Sequence, residues 1–408
     1  MAPAPWYRCR MDSAELSHLF TAEGLRLVDE LPPYSSLDPV AQVSALRKAG
    51  HPPELVTAVL TQARLREKAA AKFGDFASRL LYTQAGLEQA TRLPIAALHA
   101  GRFRAAGVRR VADLGCGLGT DALAIAALDI PVVAVELDEV TAAIAAYNLA
   151  AFPHVEVVHG DAETFDLAAA GVDAVYLDPA RRSAGSGSTT RLTRPEDYSP
   201  SIDFAFGLAA ERPVGVKLGP GFDRELIPSD AEAQWVSVDG QLVEMGLWFG
   251  ALARPGIRRS ALVIFGGSPA ELTAEADSPD AEVRELGDYL YEPDGAVIRA
   301  RLIGALAERL DAGMVSASIA YLTADTLTPT PFARAFRVLE RLPAGEGALK
   351  KALRERRIGT LEIKKRGIDV DPASLRTRLA LKGPESATLV LTRIDGAHAA
   401  LLVERADV

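Results

Sequence analysis

The chain has 408 residues, of which 49% are hydrophobic and 24% are charged, and its formal net charge is −9. This length exceeds what a single hydrophobic core usually supports, so we expect two or three domains, and the composition excludes a fibrous or disordered chain. Two cysteines and six histidines without ligand spacing exclude a disulfide framework and a structural zinc site, so we predict no bound metal.

A cytoplasmic protein is expected, because the sequence contains neither a secretion signal nor a membrane-spanning stretch. Arg8 and Arg10 are not followed by the apolar segment of a signal peptide. The most hydrophobic stretch, residues 122–135, is interrupted by Asp129 and Pro131, which disfavours a helix that crosses a bilayer.

The first part of the chain is predicted to be helical. Apolar side chains recur there at helical spacing, and prolines divide the pattern into short helices. After Gly107, short β-branched runs alternate with alanine-rich stretches, which is typical of a parallel sheet with helices on both faces. We therefore predict an N-terminal helical domain over residues 1–104 and an α/β domain over residues 105–268. Seven strands are expected at residues 109–113, 131–136, 155–158, 174–177, 214–217, 234–238 and 260–265.

The remainder of the chain, residues 269–408, begins with a stretch rich in serine, proline and acidic residues. We predict a small α+β module there, with helices near residues 296–310 and 348–356. Residues 331–408 carry more basic than acidic side chains although the whole chain is acidic. This asymmetry indicates an anionic partner, and a solvated basic face without a partner would explain it equally well.

The strongest chemical signal is the segment VADLGCGLGTD at residues 111–121, where the first strand meets its helix. Glycines in such a loop let a ligand lie against the backbone at the carboxyl end of a strand. A dinucleotide loop would need glycine at position 120, where the chain has Thr120. The carboxylate of Asp113 disfavours a pyrophosphate and suits the cationic methionyl end of S-adenosylmethionine. The residues assigned to the ligand in this loop are Asp113, Gly115, Gly117, Gly119 and Asp121.

Two further carboxylates follow the next two strands. Glu136 ends the second strand, where it can accept hydrogen bonds from both hydroxyls of a ribose. Asp161 follows the third strand and can accept from an adenine amino group. Each acid alone is more often a helix cap or a surface charge, but acids at successive strand ends favour one ligand site. The predicted cofactor site therefore also contains Glu136, Leu137, Asp161 and Ala162.

These residues resemble motifs I, II and III of class I S-adenosylmethionine-dependent methyltransferases, with motif I at residues 113–119, motif II at Glu136 and motif III at Asp161. The resemblance implies a seven-stranded Rossmann-like catalytic domain with S-adenosylmethionine as its cofactor.

The wider chain resembles bacterial methyltransferases with a THUMP-like C-terminal domain. This resemblance is carried by residues 81–91, 178–182 and 359–367, and residues 86–91 also resemble the segment before the sheet of trimethylguanosine synthases. It implies a THUMP-like module at about residues 331–408, and such domains are associated with RNA binding.

The fourth strand ends in Asp178-Pro179-Ala180-Arg181-Arg182, at the position where class I methyltransferases place substrate-facing residues. Amino-directed nucleic-acid methyltransferases carry Asp-Pro-Pro-aromatic there, and Ala180 and Arg181 depart from that pattern, which leaves the methylated atom open. We expect Asp178 to accept a proton or orient an amine, with Pro179 and Arg181 beside it. Arg181 and Arg182 are expected to hold a phosphate or a base edge, and neutralisation of nearby acids by the two arginines is the alternative.

The positions of the two cysteines exclude one mechanism of methyl transfer. Carbon-5 pyrimidine methylation needs a cysteine nucleophile, and neither Cys9 nor Cys116 lies at the end of the fourth or fifth strand. Direct transfer to a nitrogen or oxygen remains. Residues 183–191, rich in glycine and serine, form a predicted loop beside the site that is either a substrate lid or a plain connection.

Basic residues are the predicted substrate contacts. Lys217 ends the fifth strand and is expected to face the same crevice as Asp178, while Lys364, Lys365 and Arg366 belong to a basic run that would attract phosphates. The leading prediction is an RNA methyltransferase that modifies a base nitrogen of ribosomal or transfer RNA. Methylation of a small molecule or a protein is the alternative that the acidic net charge favours. A non-catalytic scaffold that binds S-adenosylmethionine and recruits RNA or protein is a third reading.

Overall fold

The computed structural model describes residues 13–32, 34, 38–181 and 198–406. These residues form two compact units. The first unit extends to Leu218 and also includes Trp248–Ala253, and the second contains Gly219–Leu247 and the chain from Arg254 onward. Arg182 and the predicted lid at residues 183–191 lie outside the described residues. No helix in the described part of the chain combines the length and the apolar character that a bilayer crossing requires.

The first unit begins with a group of helices that packs around one long helix. In this helix, α4, buried Leu55, Val59 and Leu65 recur near helical spacing, so one face enters the core. Asp38 caps α3 by accepting hydrogen bonds from the backbone of the first turn. The bounds are α1 Ser13–Leu19, α2 Ala22–Glu30, α3 Pro39–Lys48, α4 Pro53–Phe73, α5 Gln84–Gln89 and α6 Leu93–Ala105, with a 3₁₀ helix at Gly74–Arg79.

Five parallel strands form the centre of the first unit. They lie in the order β7-β4-β1-β2-β3, and all residues of β1, β4 and β7 are buried, as expected for strands covered on both faces. Because β1 neighbours both β2 and β4, the order reverses beside β1, and sheets of this kind bind ligands in a crevice at the carboxyl ends of these strands. The bounds are β1 Val111–Leu114, α7 Thr120–Ala126, β2 Val132–Glu136, α8 Glu139–Leu149, β3 Val155–His159, β4 Ala174–Leu177, β5 Ala180–Arg181, β6 Tyr198–Ser199, α9 Ile202–Ala209 and β7 Val214–Leu218.

The seven predicted strands all form, and the structure adds the short pair β5 and β6 and, after β7, two further strands that were not predicted. The following strands are β8 Glu232–Val238, β9 Gln241–Phe249, β10 Arg259–Phe265 and β11 Ser268–Ala274, and β9 and β11 are the additions. Both follow two-residue turns in which each residue has positive φ, Asp239-Gly240 before β9 and Gly266-Gly267 before β11. Asp-Gly and Gly-Gly are hairpin signals of this kind, so the sequence contained the information. Residue 269, where the C-terminal region was predicted to begin, therefore lies within a strand, β11.

The rest of the second unit is a mixed sheet with helices, which confirms the small α+β module expected from the sequence. The strand order is β13-β14-β12-β15-β18-β17-β16, and β16 and β17 run parallel, with α13 between them in the chain. Leu349 and Leu353 of α12 and Leu379 of α13 are buried in its core. The bounds are β12 Tyr289–Pro293, α10 Gly295–Arg299, α11 Ile303–Leu310, β13 Gly313–Met314, β14 Leu322–Ala324, β15 Ala333–Leu342, α12 Glu346–Glu355, β16 Ile358–Lys365, α13 Pro372–Leu379, β17 Glu385–Ile394 and β18 Ala397–Arg405.

Candidate functional site

The glycine loop after β1 forms the floor of the crevice. Gly115, Gly117 and Gly119 have φ values of 81°, 56° and 81°, a conformation that L side chains rarely adopt. A Cβ built on Gly117 would meet no atom within 4 Å, so open space lies above this backbone. A Cβ on Gly115 would lie 3.6 Å from the backbone oxygen of Asp178. The loop and the end of β4 therefore border the same space.

Asp113 is the most unusual group of the site. It is 1% exposed, and neither of its carboxylate oxygens accepts a well-aligned hydrogen bond from the described residues. The charge of Lys217 and the backbone N–H of Ala122 favour its ionised form without outweighing burial. Burial, and then the nearby charges of Asp121 and Asp178, raise its pKa well above the ordinary value. A buried carboxylate without well-aligned donors is costly. A cationic ligand group beside it would remove this cost, so Asp113 fits the methionyl end of S-adenosylmethionine.

Glu136 fastens the end of β2 to the glycine loop. One carboxylate oxygen accepts a hydrogen bond of 2.9 Å from the backbone N–H of Gly117. The other accepts one of 2.9 Å from the backbone N–H of Asp138. Its acceptor capacity exceeds these two bonds, so it can also receive ribose hydroxyls. The next residue, Leu137, is 59% exposed and offers an apolar surface beside it.

Asp161 and Ala162 follow β3 at the same edge of the sheet. Asp161 is exposed, and its Oδ1 accepts a hydrogen bond of 2.9 Å from the backbone N–H of Glu163, whereas Ala162 is 8% exposed. Asp113, Glu136 and Asp161 thus lie near the carboxyl ends of three adjacent parallel strands, β1, β2 and β3. Their order matches an elongated ligand that lies across the strand ends.

Asp178 and Lys217 form an ion pair at the ends of β4 and β7. The carboxylate Oδ2 of Asp178 contacts Lys217 Nζ, and the two side chains are 30% and 9% exposed. Pro179 is buried behind Asp178, and Arg181 lies in the short strand that pairs with Tyr198–Ser199. The structure therefore brings together the predicted proton acceptor and the predicted basic residue of the fifth strand.

Asp121 points away from the glycine loop, into the protein. Its two oxygens accept hydrogen bonds of 2.9 Å from His99 Nδ1 and 2.6 Å from Thr91 Oγ1. Both oxygens are engaged within the protein and the side chain is 6% exposed, so contact of Asp121 with a ligand stays a prediction. Thr91 also accepts a hydrogen bond from Lys217, which links Asp121 to the ion pair.

Lys72 is a second cation near Asp178 that the sequence did not indicate. Its Nζ donates hydrogen bonds of 2.8 Å to the backbone oxygens of Leu87, Glu88 and Ala90, at the C-terminal end of α5. Burial and the charge of Lys217 lower the pKa of Lys72 to about 8. Neither Lys72 nor His99 lies in a motif, so only the fold reveals them.

The three predicted phosphate contacts of the second unit, Lys364, Lys365 and Arg366, differ in how exposed their side chains are. Lys364 Nζ lies 2.7 Å from Glu292 Oε2, and both side chains are mostly buried. The guanidinium group of Arg366 stacks over the ring of Tyr321, 5.1 Å from its centroid. Lys365 is exposed. Of these three predicted phosphate contacts, Lys365 alone has an exposed side chain.

Known families match three parts of the chain, and a known relative matches most of its length. A family model of methyltransferase domains matches residues 111–181, and a THUMP domain-like family matches residues 333–405. A domain family of unknown function matches residues 12–69. The chain is 36% identical over 345 residues to an uncharacterized S-adenosylmethionine-dependent methyltransferase of Mycobacterium tuberculosis, in strains CDC 1551 and H37Rv alike, with 81% of this chain and 90% of the relative covered.

The fold is similar to a solved structure of a candidate methyltransferase from Porphyromonas gingivalis W83. The TM-score is 0.75 at 22% sequence identity, with 97% of this chain and 100% of that chain covered. This likeness and the family matches confirm the Rossmann-like α/β fold and the THUMP-like C-terminal region expected from the sequence.

Proposed function

Because the chain belongs to the S-adenosylmethionine-dependent methyltransferases, we propose that it methylates a base nitrogen of ribosomal or transfer RNA in the crevice beside Asp178. Methyltransferase activity and the cofactor S-adenosylmethionine follow from the family. The nature of the substrate is the proposed part.

The observation that carries the proposal is the position of Asp178. Its backbone borders the glycine loop at Gly115, and its carboxylate is paired with Lys217. When bound, S-adenosylmethionine would supply a methyl group on its sulfonium, and the substrate nitrogen would form the new N–C bond as the S–C bond breaks and S-adenosylhomocysteine leaves. A base nitrogen must lose a proton as it gains the methyl group. A carboxylate at this position can accept the N–H hydrogen bond that orients the nitrogen and then receive the proton.

The ion pair with Lys217 suits Asp178 for this role. An adjacent ammonium group favours the ionised carboxylate, which is the form that accepts a proton. A carboxylate has about four lone-pair positions, so the pair with Lys217 leaves capacity for a substrate N–H. Asp113, Gly117 and Glu136 would hold the cofactor on the other side of the crevice.

Support for RNA comes from the second unit. The THUMP domain-like match covers residues 333–405, and Lys351, Arg354, Arg357 and Lys365 have exposed side chains there. Exposed cations of this kind attract phosphates without reading sequence.

A small molecule or a protein is the second candidate substrate, and one observation favours it. Several cations of the same region are engaged by carboxylates of the chain, as in the pairs Arg356–Glu340 at 2.6 Å and Arg378–Glu346 at 3.0 Å. This internal neutralisation lowers the charge that is left for phosphates.

The test is methyl transfer from radiolabelled S-adenosylmethionine to total bacterial RNA, with a protein extract and a small-molecule extract in parallel. We expect label in RNA, and Asp178→Asn should reduce the rate by about 100-fold or more. Asp166→Asn, at an exposed carboxylate that caps a turn, is the matched control and should retain the wild-type rate. Label in the protein or small-molecule extract, with none in RNA, would contradict the proposal and favour the second candidate.

A further inference from the structure

Thr91 connects two charged groups of the first unit. Its hydroxyl donates a hydrogen bond of 2.6 Å to Asp121 Oδ2 and accepts one of 2.9 Å from Lys217 Nζ. An ammonium group can only donate, and an ionised carboxylate can only accept, so the direction of both bonds is fixed. Thr91 is 3% exposed, so water does not compete for its hydroxyl.

The ammonium group of Lys217 is oriented by residues that precede the sheet. It donates to Thr91 Oγ1, to the backbone oxygen of Gln89 at 3.3 Å and to Asp178 Oδ2. These three acceptors match the three N–H bonds of an ammonium group. With two of them supplied by Gln89 at the end of α5 and by Thr91 between α5 and α6, the third N–H is directed at Asp178.

Asp121 is the fixed end of this chain of hydrogen bonds. Burial raises its pKa, but the hydrogen bond and the charge of His99 and the charge of Lys217 outweigh burial and lower the pKa below its ordinary value. Asp121 is therefore ionised and gives the Thr91 hydroxyl a permanent acceptor.

We propose that Thr91 and Asp121 are positioning residues, which hold Lys217 against Asp178 and so keep Asp178 in its proton-accepting form. The inference rests on the proposed role of Asp178 in methyl transfer, and it holds for any substrate nitrogen. It also gives the helical region before the sheet a part in the reaction, because Thr91 and His99 both belong to that region.

The charged groups around Asp178 determine the direction of the expected effect. Lys217 on β7 and Lys72 on α4 favour its ionised form, whereas Asp113 on β1 opposes it. If Lys217 loses its hydrogen bond to Thr91, its ammonium group becomes free to turn away from Asp178. The midpoint of the Asp178 titration should then rise.

The experiment follows the carboxyl carbons of aspartate by NMR in protein labelled with ¹³C-aspartate, and Asp178→Asn assigns the resonance of Asp178. Thr91→Val removes the hydroxyl, and Thr91→Ser restores it. Thr83→Val is the matched control. Thr83, which precedes α5, is also buried, but its hydroxyl accepts from the backbone N–H of Gly86 and not from Lys217. Thr91→Val should raise the Asp178 midpoint by about one pH unit, and Thr91→Ser should return it to the wild-type value.

The NMR measurement needs no substrate, so it distinguishes this inference from the proposed function. An unchanged Asp178 midpoint in folded Thr91→Val would overturn the inference even if RNA is labelled. If Thr91→Val does not fold, Thr91→Ala replaces it with the same expectation. Where RNA is labelled, the acidic limb of the kcat–pH profile should move to higher pH in Thr91→Val by the same amount as the Asp178 midpoint, with S-adenosylhomocysteine affinity unchanged. Equal effects of Thr91→Val and Thr83→Val on the midpoint would reduce Thr91 to a structural residue.

Discussion

Gly119 and Leu149 are in such close contact that a side chain at Gly119 would collide with Leu149. A Cβ built on Gly119 would lie 2.8 Å from Leu149 Cδ1, and Leu149 is 2% exposed at the end of α8. Gly117, two residues earlier, has open space around the same position. The two glycines of one motif therefore differ, since one allows α8 to pack against the loop and the other borders open space, which we propose to be cofactor space.

Alanine substitutions separate these two roles. Gly119→Ala should lower the free energy of unfolding by about 2–4 kcal/mol, because it combines the collision with positive-φ strain. Gly117→Ala should cost about 1–2 kcal/mol of strain alone, yet weaken S-adenosylhomocysteine binding at least about tenfold by filling the open space. Urea unfolding and isothermal titration calorimetry measure the two effects. Full cofactor affinity in Gly117→Ala would contradict the assignment of this space to the ligand.

Asp113→Asn should stabilise the ligand-free protein and weaken ligand binding. Burial and nearby acids raise the pKa of Asp113 in the folded state, so its contribution to stability is present at low pH and is lost as the pH rises through the folded pKa. An asparagine side chain does not ionise, so the variant does not lose this stability at neutral pH. We expect a higher free energy of unfolding near neutral pH, no gain in acid, and at least about tenfold weaker S-adenosylhomocysteine binding.

Glu136→Gln is the matched comparison for Asp113→Asn. Both oxygens of Glu136 accept backbone N–H bonds, so the amide group of glutamine would face a donor. This variant should be less stable than the wild type while also binding the ligand more weakly. A stability gain in Glu136→Gln, or a loss in Asp113→Asn, would contradict the roles assigned to the two acids.

The cofactor half of the site was predictable from the sequence because its information is local. Acids and glycines at the ends of strands need no knowledge of distant contacts. Gly117 and Glu136 are joined by a hydrogen bond, and Asp113 lies on β1, the strand beside β2. The hairpin turns before β9 and β11 were equally local, and attention to Asp239-Gly240 would have found the first of them.

The network around Lys217 was not predictable, because its members are far apart in the chain. Thr91 and Asp121 are 30 residues apart, and Thr91 and Lys217 are 126 apart. An isolated threonine carries no signal of its own until the fold brings a carboxylate to one side and an ammonium group to the other. The hydrogen bonds of Asp121 could not be predicted for the same reason, because its partners Thr91 and His99 belong to the helical region before the sheet.

Lys72→Met tests the electrostatics of the crevice. Burial, Lys217 and Arg92 lower the pKa of Lys72 to about 8, against the opposing effects of Glu88 and Asp178. Between about pH 8 and the ordinary value of 10.5, the unfolded chain binds this proton more strongly than the folded protein does. The stability of the wild type relative to Lys72→Met should therefore rise with pH across this window.

Urea unfolding at pH values below, within and above the window measures this difference. Lys68→Met, at an exposed position of the same helix, is the matched control for the loss of one lysine charge. A flat or falling difference for Lys72→Met would mean that its carbonyl partners hold the ammonium form more strongly than burial disfavours it.

Adjacent lysines of β16 test the docking of RNA to the second unit. Lys364→Met breaks the ion pair with Glu292 and leaves a mostly buried carboxylate without its partner, so it should cost about 1–3 kcal/mol of stability. Lys365→Met removes an exposed charge and should leave stability unchanged. If this face binds RNA, Lys365→Met should weaken binding and reduce the dependence of log K on log salt by roughly one unit. RNA affinity that is unchanged in Lys365→Met would exclude its side chain as a phosphate contact, and RNA affinity lost in Lys364→Met alone would indicate an effect through folding of the module.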